Sequence, residues 1–222
     1  MVLEHVTAEQ GAAYLDIIKS DSPFLVSRIN EFKENDIEGG PIMSTYDDIG
    51  EISPSTLRYL KVASDLYNLF GVDIGSNIAE IGGGYGGQLL INDKIFQFKE
   101  YHLFDLPPVL ELASKYLESH FLNNSYRTCT MNQCSGSISY DLVISNYAFS
   151  ELPKRLQKKY AEKVLSKARR GYLTMNSGLP NSTFQNDKLT IFELEEILPR
   201  FDVIEETPSC PGNYIVVWGR SV

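Results

Sequence analysis

The sequence is short of positive charge. Its 20 Lys and Arg stand against 29 Asp and Glu, a net charge of −9. A duplex-binding face needs clustered Lys and Arg, and so does a polybasic membrane patch, so the composition argues against both. Cysteine is scarce and odd in number. Cys129, Cys134 and Cys210 lack C-x-x-C spacing, which argues against a disulfide framework and fits reduced thiols in a cytoplasmic protein. No apolar run approaches the roughly 18 residues of a membrane span. The opening M-V-L-E-H-V-T-A-E-Q has no basic stretch followed by an apolar one, so no signal peptide is expected. Without one, the sequons at Asn123 and Asn181 read as ordinary loop residues. Histidine is equally sparse, and each of the three reads as structural. His5 is near the start, His102 lies inside a strand pattern away from its carboxyl end, and His120 falls beyond the following helix. Asp47, Asp48 and Glu51 carry oxygens suited to a hard cation. A solvated acidic loop accounts for them more simply, and no metal is expected.

What is present is enough apolar material, 43% of 222 residues, for one sizeable core with an appendage. Residues 1–70 read as helical. Thr7-x-x-Gln10 forms a capping box for a helix to about Ser20. Pro23 opens a second helix, F-L-V-S-R-I-N-E-F-K-E, and Gly39-Gly40-Pro41 breaks the pattern. Met43–Glu51 reads as a loop. Ser53 caps a helix with Pro54 in its first turn, running to Phe70. No strand pattern occurs in this part, which is expected to form a helical cap. From Ser76 the pattern alternates. Strands are expected at 77–81, 101–105, 126–130, 141–145, 171–175, 201–206 and 214–218, with helices between most of them. The helix opened by Pro153 is expected to reach about Ala168, and the last to cover Thr190–Leu198. This alternation predicts an α/β fold with a Rossmann-like, doubly wound, seven-stranded and mostly parallel sheet. Only T-P-S-C-P-G-N joins the last two strands, too short for a parallel crossover, so the final pair should be antiparallel.

The chain is organised around S-N-I-A-E-I-G-G-G-Y-G-G-Q, residues 76–88. A buried strand ends in a glycine-rich bend, where φ is positive or a ligand lies against bare backbone. The helix that follows points free N–H groups at whatever occupies the bend. Two patterns fit. Gly82-x-Gly84-x-x-Gly87 matches a dinucleotide fingerprint, and Glu80-x-Gly82-x-Gly84-x-Gly86 matches the first motif of S-adenosylmethionine enzymes. A glycine pattern alone does not choose. Glu80 does discriminate, because a buried carboxylate needs a partner, and an α-ammonium is one. Asp105, at the end of the second strand, has two oxygens for the two hydroxyls of a ribose. Dehydrogenases share that acid, so it marks an adenosine site without naming the reaction. It also suits the start of a helix.

The ordered set E-I-G-G-G-Y-G-G (80–87), F-D-L-P (104–107) and I-S-N-Y-A-F-S-E-L-P (144–153) resembles class I S-adenosylmethionine-dependent methyltransferases over residues 71–222. The F-D-L-P-x-V element resembles small-molecule O-methyltransferases. N-Y-A-F-S-E-L, with the helical residues 1–70, resembles the sugar O-methyltransferase group. The resemblance implies S-adenosyl-L-methionine as cofactor and a small-molecule acceptor, a sugar above others. Glu80, Gly82, Gly83, Gly84, Gly86, Asp105, Leu106, Asn132, Gln133 and Asn146 would then bind the cofactor. Leu106 would pack on the adenine, Asn132 and Gln133 would read its edge, and Asn146 and Tyr147 would lie by the methionine portion.

A sugar hydroxyl is a poor nucleophile, so a general base should assist. With the histidines set aside, Glu151, Tyr147, Asp47 and Asp48 remain. Glu151 is preferred because the fourth strand ends beside the transfer site, although Ser150-Glu151 equally reads as a helix start. Tyr46, Tyr59 and Tyr67 are candidates for an aromatic wall around the acceptor, Asn176 for a further contact, and Gly178–Lys188 for a lid. A nicotinamide-dependent oxidoreductase and a non-catalytic binding module on the same fold are the competing readings.

Overall fold

Ile78, Ala79 and Ile81 are buried on both sides of one strand, and that strand sits inside the sheet. The computed structural model describes residues 6–134, 136–176, 187–208 and 212–220. It begins with α1 (Ala8–Asp21), α2 (Pro23–Ser27), α3 (Ile29–Phe32) and a 3-10 turn (Lys33–Asp36). A small hairpin, β1 (Ser44–Tyr46) and β2 (Gly50–Ile52), leads into α4 (Pro54–Phe70). The α/β part follows as β3 (Asn77–Ile81), α5 (Gly87–Ile95), β4 (Glu100–Phe104), α6 (Pro107–Glu118), β5 (Ser125–Cys129), β6 (Tyr140–Asn146), α7 (Ala148–Glu151), α8 (Lys154–Lys163), β7 (Ala168–Asn176), α9 (Ile191–Glu195), β8 (Phe201–Glu205) and β9 (Asn213–Trp218).

The seven-stranded sheet has the order β5-β4-β3-β6-β7-β9-β8. β3 pairs in parallel with both β4 and β6, while β9 runs antiparallel to β7 and to β8. The expected doubly wound sheet with an antiparallel end is therefore the observed one. Side chains alternate across the strands. Ile78, Tyr101, Leu103, Leu142, Ile144 and Tyr172 join α4, α5 and α6 in one hydrophobic cluster. Ala79, Ile81, Phe104, Val143, Leu173 and Trp218 join α8 and α9 in the other.

Local chemistry explains most boundaries. Thr7 and Gln10 make the reciprocal capping box of α1, and Ser53 accepts from the Thr56 N–H at the start of α4. Four expectations need correction. The supposed loop at 43–51 contains the hairpin; its strands are three residues each, too short for a period of two to show, and burial of Tyr46, Ile49 and Ile52 holds it down. The second helix is broken at Arg28, where ψ is 12°. Leu25, Ile29 and Phe32 keep helical spacing across that break and bury themselves. The basic helix stops at Lys163 because Val164 and Leu165 turn fully into the core, and strand β7 starts at Ala168. The last helix ends at Glu195, sooner than expected, although its Thr190 capping box forms.

Asp36 anchors α4 to the preceding turn. Its carboxylate accepts from the Ser53 N–H (2.8 Å), the Ser53 hydroxyl (2.6 Å) and the Thr56 hydroxyl (2.7 Å). The negative charge also faces a helix N-terminus, where it is favourable. Replacing Asp36 with Ala should cost about 2–3 kcal/mol in urea denaturation, as three hydrogen bonds to a charged acceptor are lost. A loss below about 0.5 kcal/mol, the range of ordinary surface changes, would show that this network does not hold α4.

Candidate functional site

The chain leaves β3 toward β4 and β5 on one side and returns to β6 on the other. Open α/β sheets bind ligands at such a reversal, beyond the carboxyl ends of the strands. A cavity of about 740 Å³ lies there, lined by residues that follow β3, β4, β5 and β6, together with Arg58 and Tyr59 of α4. Its size is within the range of about 300–1,000 Å³ for small-molecule sites.

The glycine bend is as tight as its composition requires. Gly82 has φ +78°, and a Cβ there would sit 1.9 Å from the Cβ of Ala148. Its N–H donates to the Phe104 carbonyl at 2.7 Å. Gly84 has φ +56° and open space where a side chain would be, which leaves its backbone accessible from the cavity. Gly82, Gly83 and Gly84 line the cavity. Gly86 is the left-handed N-cap of α5, and does not line it.

Two carboxylates face this space from different strands. Glu80, 2% exposed, lines the cavity, and its Oε2 accepts from the Tyr101 hydroxyl at 2.8 Å. Burial first, and then the Glu80 charge, push the Tyr101 pKa well above the usual phenol range, so Tyr101 stays a donor. Asp105 follows β4. Its Oδ1 accepts from the Leu106 N–H at 2.7 Å and its Oδ2 from the Gly84 N–H at 3.1 Å, so it braces the bend. Burial raises its pKa, against the lowering effect of those two amides. Leu106 lines the cavity and is 66% exposed.

At the other strand ends, Asn132 lines the cavity beside Thr130 and Met131. Gln133 is turned away, its Oε1 accepting from the Thr130 N–H and hydroxyl at 2.8 and 2.9 Å. Asn146 lines the cavity. Its Nδ2 donates to Gln88 at 3.3 Å, while its buried Oδ1 has no hydrogen-bond partner. Tyr147 is the one described non-glycine residue with positive φ, at 67°. The strain is held by its N–H on the Thr174 carbonyl (2.9 Å) and by the Ser150 hydroxyl on its own carbonyl (2.6 Å). Such outliers concentrate at functional sites. The Tyr147 hydroxyl donates to Glu206, which is 6% exposed. Burial and that carboxylate push the phenol pKa far up, so Tyr147 retains its proton. Glu151 is exposed at the cavity edge and accepts from the Asn176 side chain at 3.2 Å.

Several expected contributors lie elsewhere. Tyr46 is buried, with its hydroxyl on the Ala8 carbonyl at 3.2 Å, and Tyr67 packs on Phe24 at 4.8 Å between ring centroids. Of the proposed aromatic wall, only Tyr59 reaches the cavity. His102 is held between Tyr140 (3.1 Å) and Glu100 (2.8 Å), and His120 meets Glu34 at 3.1 Å; both are structural. His5, Cys210 and residues 178–186 of the supposed lid lie outside the described residues. Among the described residues no group of three or more His, Cys, Asp or Glu is placed to hold a metal ion.

Sequence reading missed Arg58 and Glu206. Arg58 lines the cavity, and its guanidinium carbon lies 5.5 Å from the Tyr59 ring centroid and 5.7 Å from that of Tyr147. A signal was available. Arg58, Lys61 and Asp65 form a polar stripe at helical spacing within the apolar helix α4, and Lys61 is only 5% exposed.

No family model matches the sequence, and no curated protein does. Solved structures do resemble it. A variant of MtNAS in complex with S-adenosylmethionine is 18% identical, with 95% of this chain and 79% of that chain covered and a TM-score of 0.54. The 16S rRNA methyltransferase RsmC of T. thermophilus, in complex with AdoMet and guanosine, is 13% identical over 83% of this chain and 45% of that one, with a TM-score of 0.52. An S-adenosylmethionine-dependent methyltransferase from Clostridium acetobutylicum ATCC 824 is 10% identical over 72% and 88%, with a TM-score of 0.51. At these identities the likeness is one of fold, a methyltransferase-like Rossmann fold.

Proposed function

We propose that this chain is an S-adenosylmethionine-dependent O-methyltransferase acting on a small molecule, a sugar hydroxyl being the preferred acceptor. One observation carries the cofactor reading: Glu80 and Asp105, from neighbouring strands, face one cavity across a bend of bare glycine backbone. An ammonium and a ribose diol are what those two acids would accept. Asp105 spends one hydrogen bond per oxygen on backbone amides, and each carboxylate oxygen retains a second lone pair. The partnerless Oδ1 of Asn146 is a further acceptor for the ammonium. Leu106 and Asn132 line the nucleoside side, while Gln133 serves its own turn.

When bound, the cofactor supplies a methyl group already activated by a positively charged sulfur. The residues then have to hold the acceptor oxygen in line, at about 3–3.5 Å, and remove its proton. Glu151 is the base we prefer. It lines the cavity edge as a carboxylate oriented by Asn176. Tyr147, whose one hydroxyl proton is retained and donated to Glu206, is poorly suited to take a proton from the acceptor. The sugar preference rests on the resemblance of N-Y-A-F-S-E-L.

S-adenosylhomocysteine, and not NADH, should raise the melting temperature; the reverse would favour the oxidoreductase reading. Glu80→Gln should weaken S-adenosylhomocysteine about 10- to 100-fold by calorimetry, the scale of one charge-assisted hydrogen bond, and unchanged affinity would remove Glu80 from the site. Asp105→Ala should weaken S-adenosylhomocysteine more than methionine, and equal losses for both would contradict a ribose contact. Labelled-methyl transfer to glycans and small phenols, with S-adenosylhomocysteine as the second product, tests the reaction. Methylthioadenosine as the product would mean that a different carbon leaves the sulfur, and binding without any transfer would favour the non-catalytic module.

A further inference from the structure

We propose that Arg58 recognises the carboxylate at the amino-acid end of the cofactor, so that the N-terminal helices complete the cofactor site as well as covering it. This rests on the reading of the cavity as an S-adenosylmethionine site. The order of strands gives the cavity a direction. Asp105 and Leu106 follow β4, the glycine bend follows β3, and Asn146 and Tyr147 follow β6. Strands are spaced by about 4.8 Å, so the Asp105 and Tyr147 sides are separated by roughly two strand spacings. A nucleoside placed at Asp105 leaves its amino-acid tail running toward β6.

Arg58 stands at that far side. Its guanidinium lies within cation–π distance of Tyr147, and of Tyr59 on its own helix. It also borders a narrow polar recess with Asn146, Tyr147 and Glu206. Two aromatic faces restrict a side chain that otherwise has many rotamers, which lowers the entropy cost of using it to bind.

Charge makes the assignment specific. Glu80, Asp105 and Glu151 line the cavity, and Arg58 is the one Lys or Arg among its described lining residues. An α-amino acid group is a zwitterion. Glu80 and Asn146 answer its ammonium, and a guanidinium matches a carboxylate in a planar, bidentate way that an ammonium side chain does not. A cavity with acids alone would repel the carboxylate half of the ligand. Arg58 is thus a positioning residue: it fixes the amino-acid end and with it the sulfur.

The test is calorimetric titration of the full chain with three ligands that differ in one end only. S-adenosylhomocysteine has both charged groups. Decarboxylated S-adenosylhomocysteine keeps the ammonium alone, and methylthioadenosine has neither. Arg58→Met should weaken S-adenosylhomocysteine at least about tenfold, and leave the other two within about twofold. Arg58→Lys, which keeps the charge and loses the fork, should show a smaller loss for the same ligand only, and carries the test if the Met variant fails to fold by circular dichroism. Equal weakening of all three ligands would mean that Arg58 merely supports the fold, and would overturn the proposal. So would unchanged affinity for S-adenosylhomocysteine. If the unaltered protein binds none of the three, the cofactor reading itself fails, which is a separate result from the loss of Arg58 selectivity.

Discussion

A carboxylate buried near the carboxyl end of the interior strand β3 sets the terms for this molecule. Glu80 is 2% exposed, a depth at which a carboxylate has to be met by polar or charged partners. The Tyr101 hydroxyl donates to it from the neighbouring strand at 2.8 Å. Tyr101 stands two residues further down its strand, on the same face, and its ring spans the gap. A carboxylate kept in such a place, at the edge of a cavity, is suited to a cationic group brought in by a ligand. Lower local polarity would make that attraction stronger than it is in water.

The rest of the fold keeps independent elements in register around this acid. Asp141 on β6 accepts from the N–H groups of Ser76 and Asn77 (2.8 and 2.9 Å), which fastens the start of β3. Asp105 ties the glycine bend to β4. Ser145 on β6 donates to the Ile81 carbonyl at 2.8 Å, just ahead of the bend. Helix α4 is pinned to the sheet below Arg58, where Asp65 accepts from Lys61 (2.6 Å) and from the Tyr172 hydroxyl (2.5 Å). Burial raises the Asp65 pKa, with the Lys61 charge acting against it. These contacts hold α4 where its Arg58 and Tyr59 line a cavity otherwise built by the ends of the strands.

The legible features were those written in short-range pattern. The apolar run 78–81, its glycines and Asp105 announce a strand, a bend and an acid because each depends on neighbours within a few residues. Alternation of strand and helix gave the sheet, and the length of the 207–213 connection gave its antiparallel end. The poorly legible features depend on distant partners. Gln133 is adjacent to Asn132, yet it bonds back to Thr130 and caps a turn. Arg58 reaches Tyr147, and Tyr147 reaches Glu206, across separations that no local period encodes. Tyr46 and Tyr67 have the right chemistry for an acceptor wall and the wrong address, since packing of α1 and α2 claims both. The hairpin at 44–52 escaped notice because three-residue strands barely alternate.

The most direct test of Glu80 as an ammonium site is a crystal structure of the chain with S-adenosylhomocysteine. The ligand's amino nitrogen should lie within about 3.2 Å of the Glu80 carboxylate, with the ribose hydroxyls on Asp105 and the thioether above the glycine bend. A ligand bound with its amino group turned away from Glu80, or seated outside the cavity between β4 and β6, would contradict that assignment.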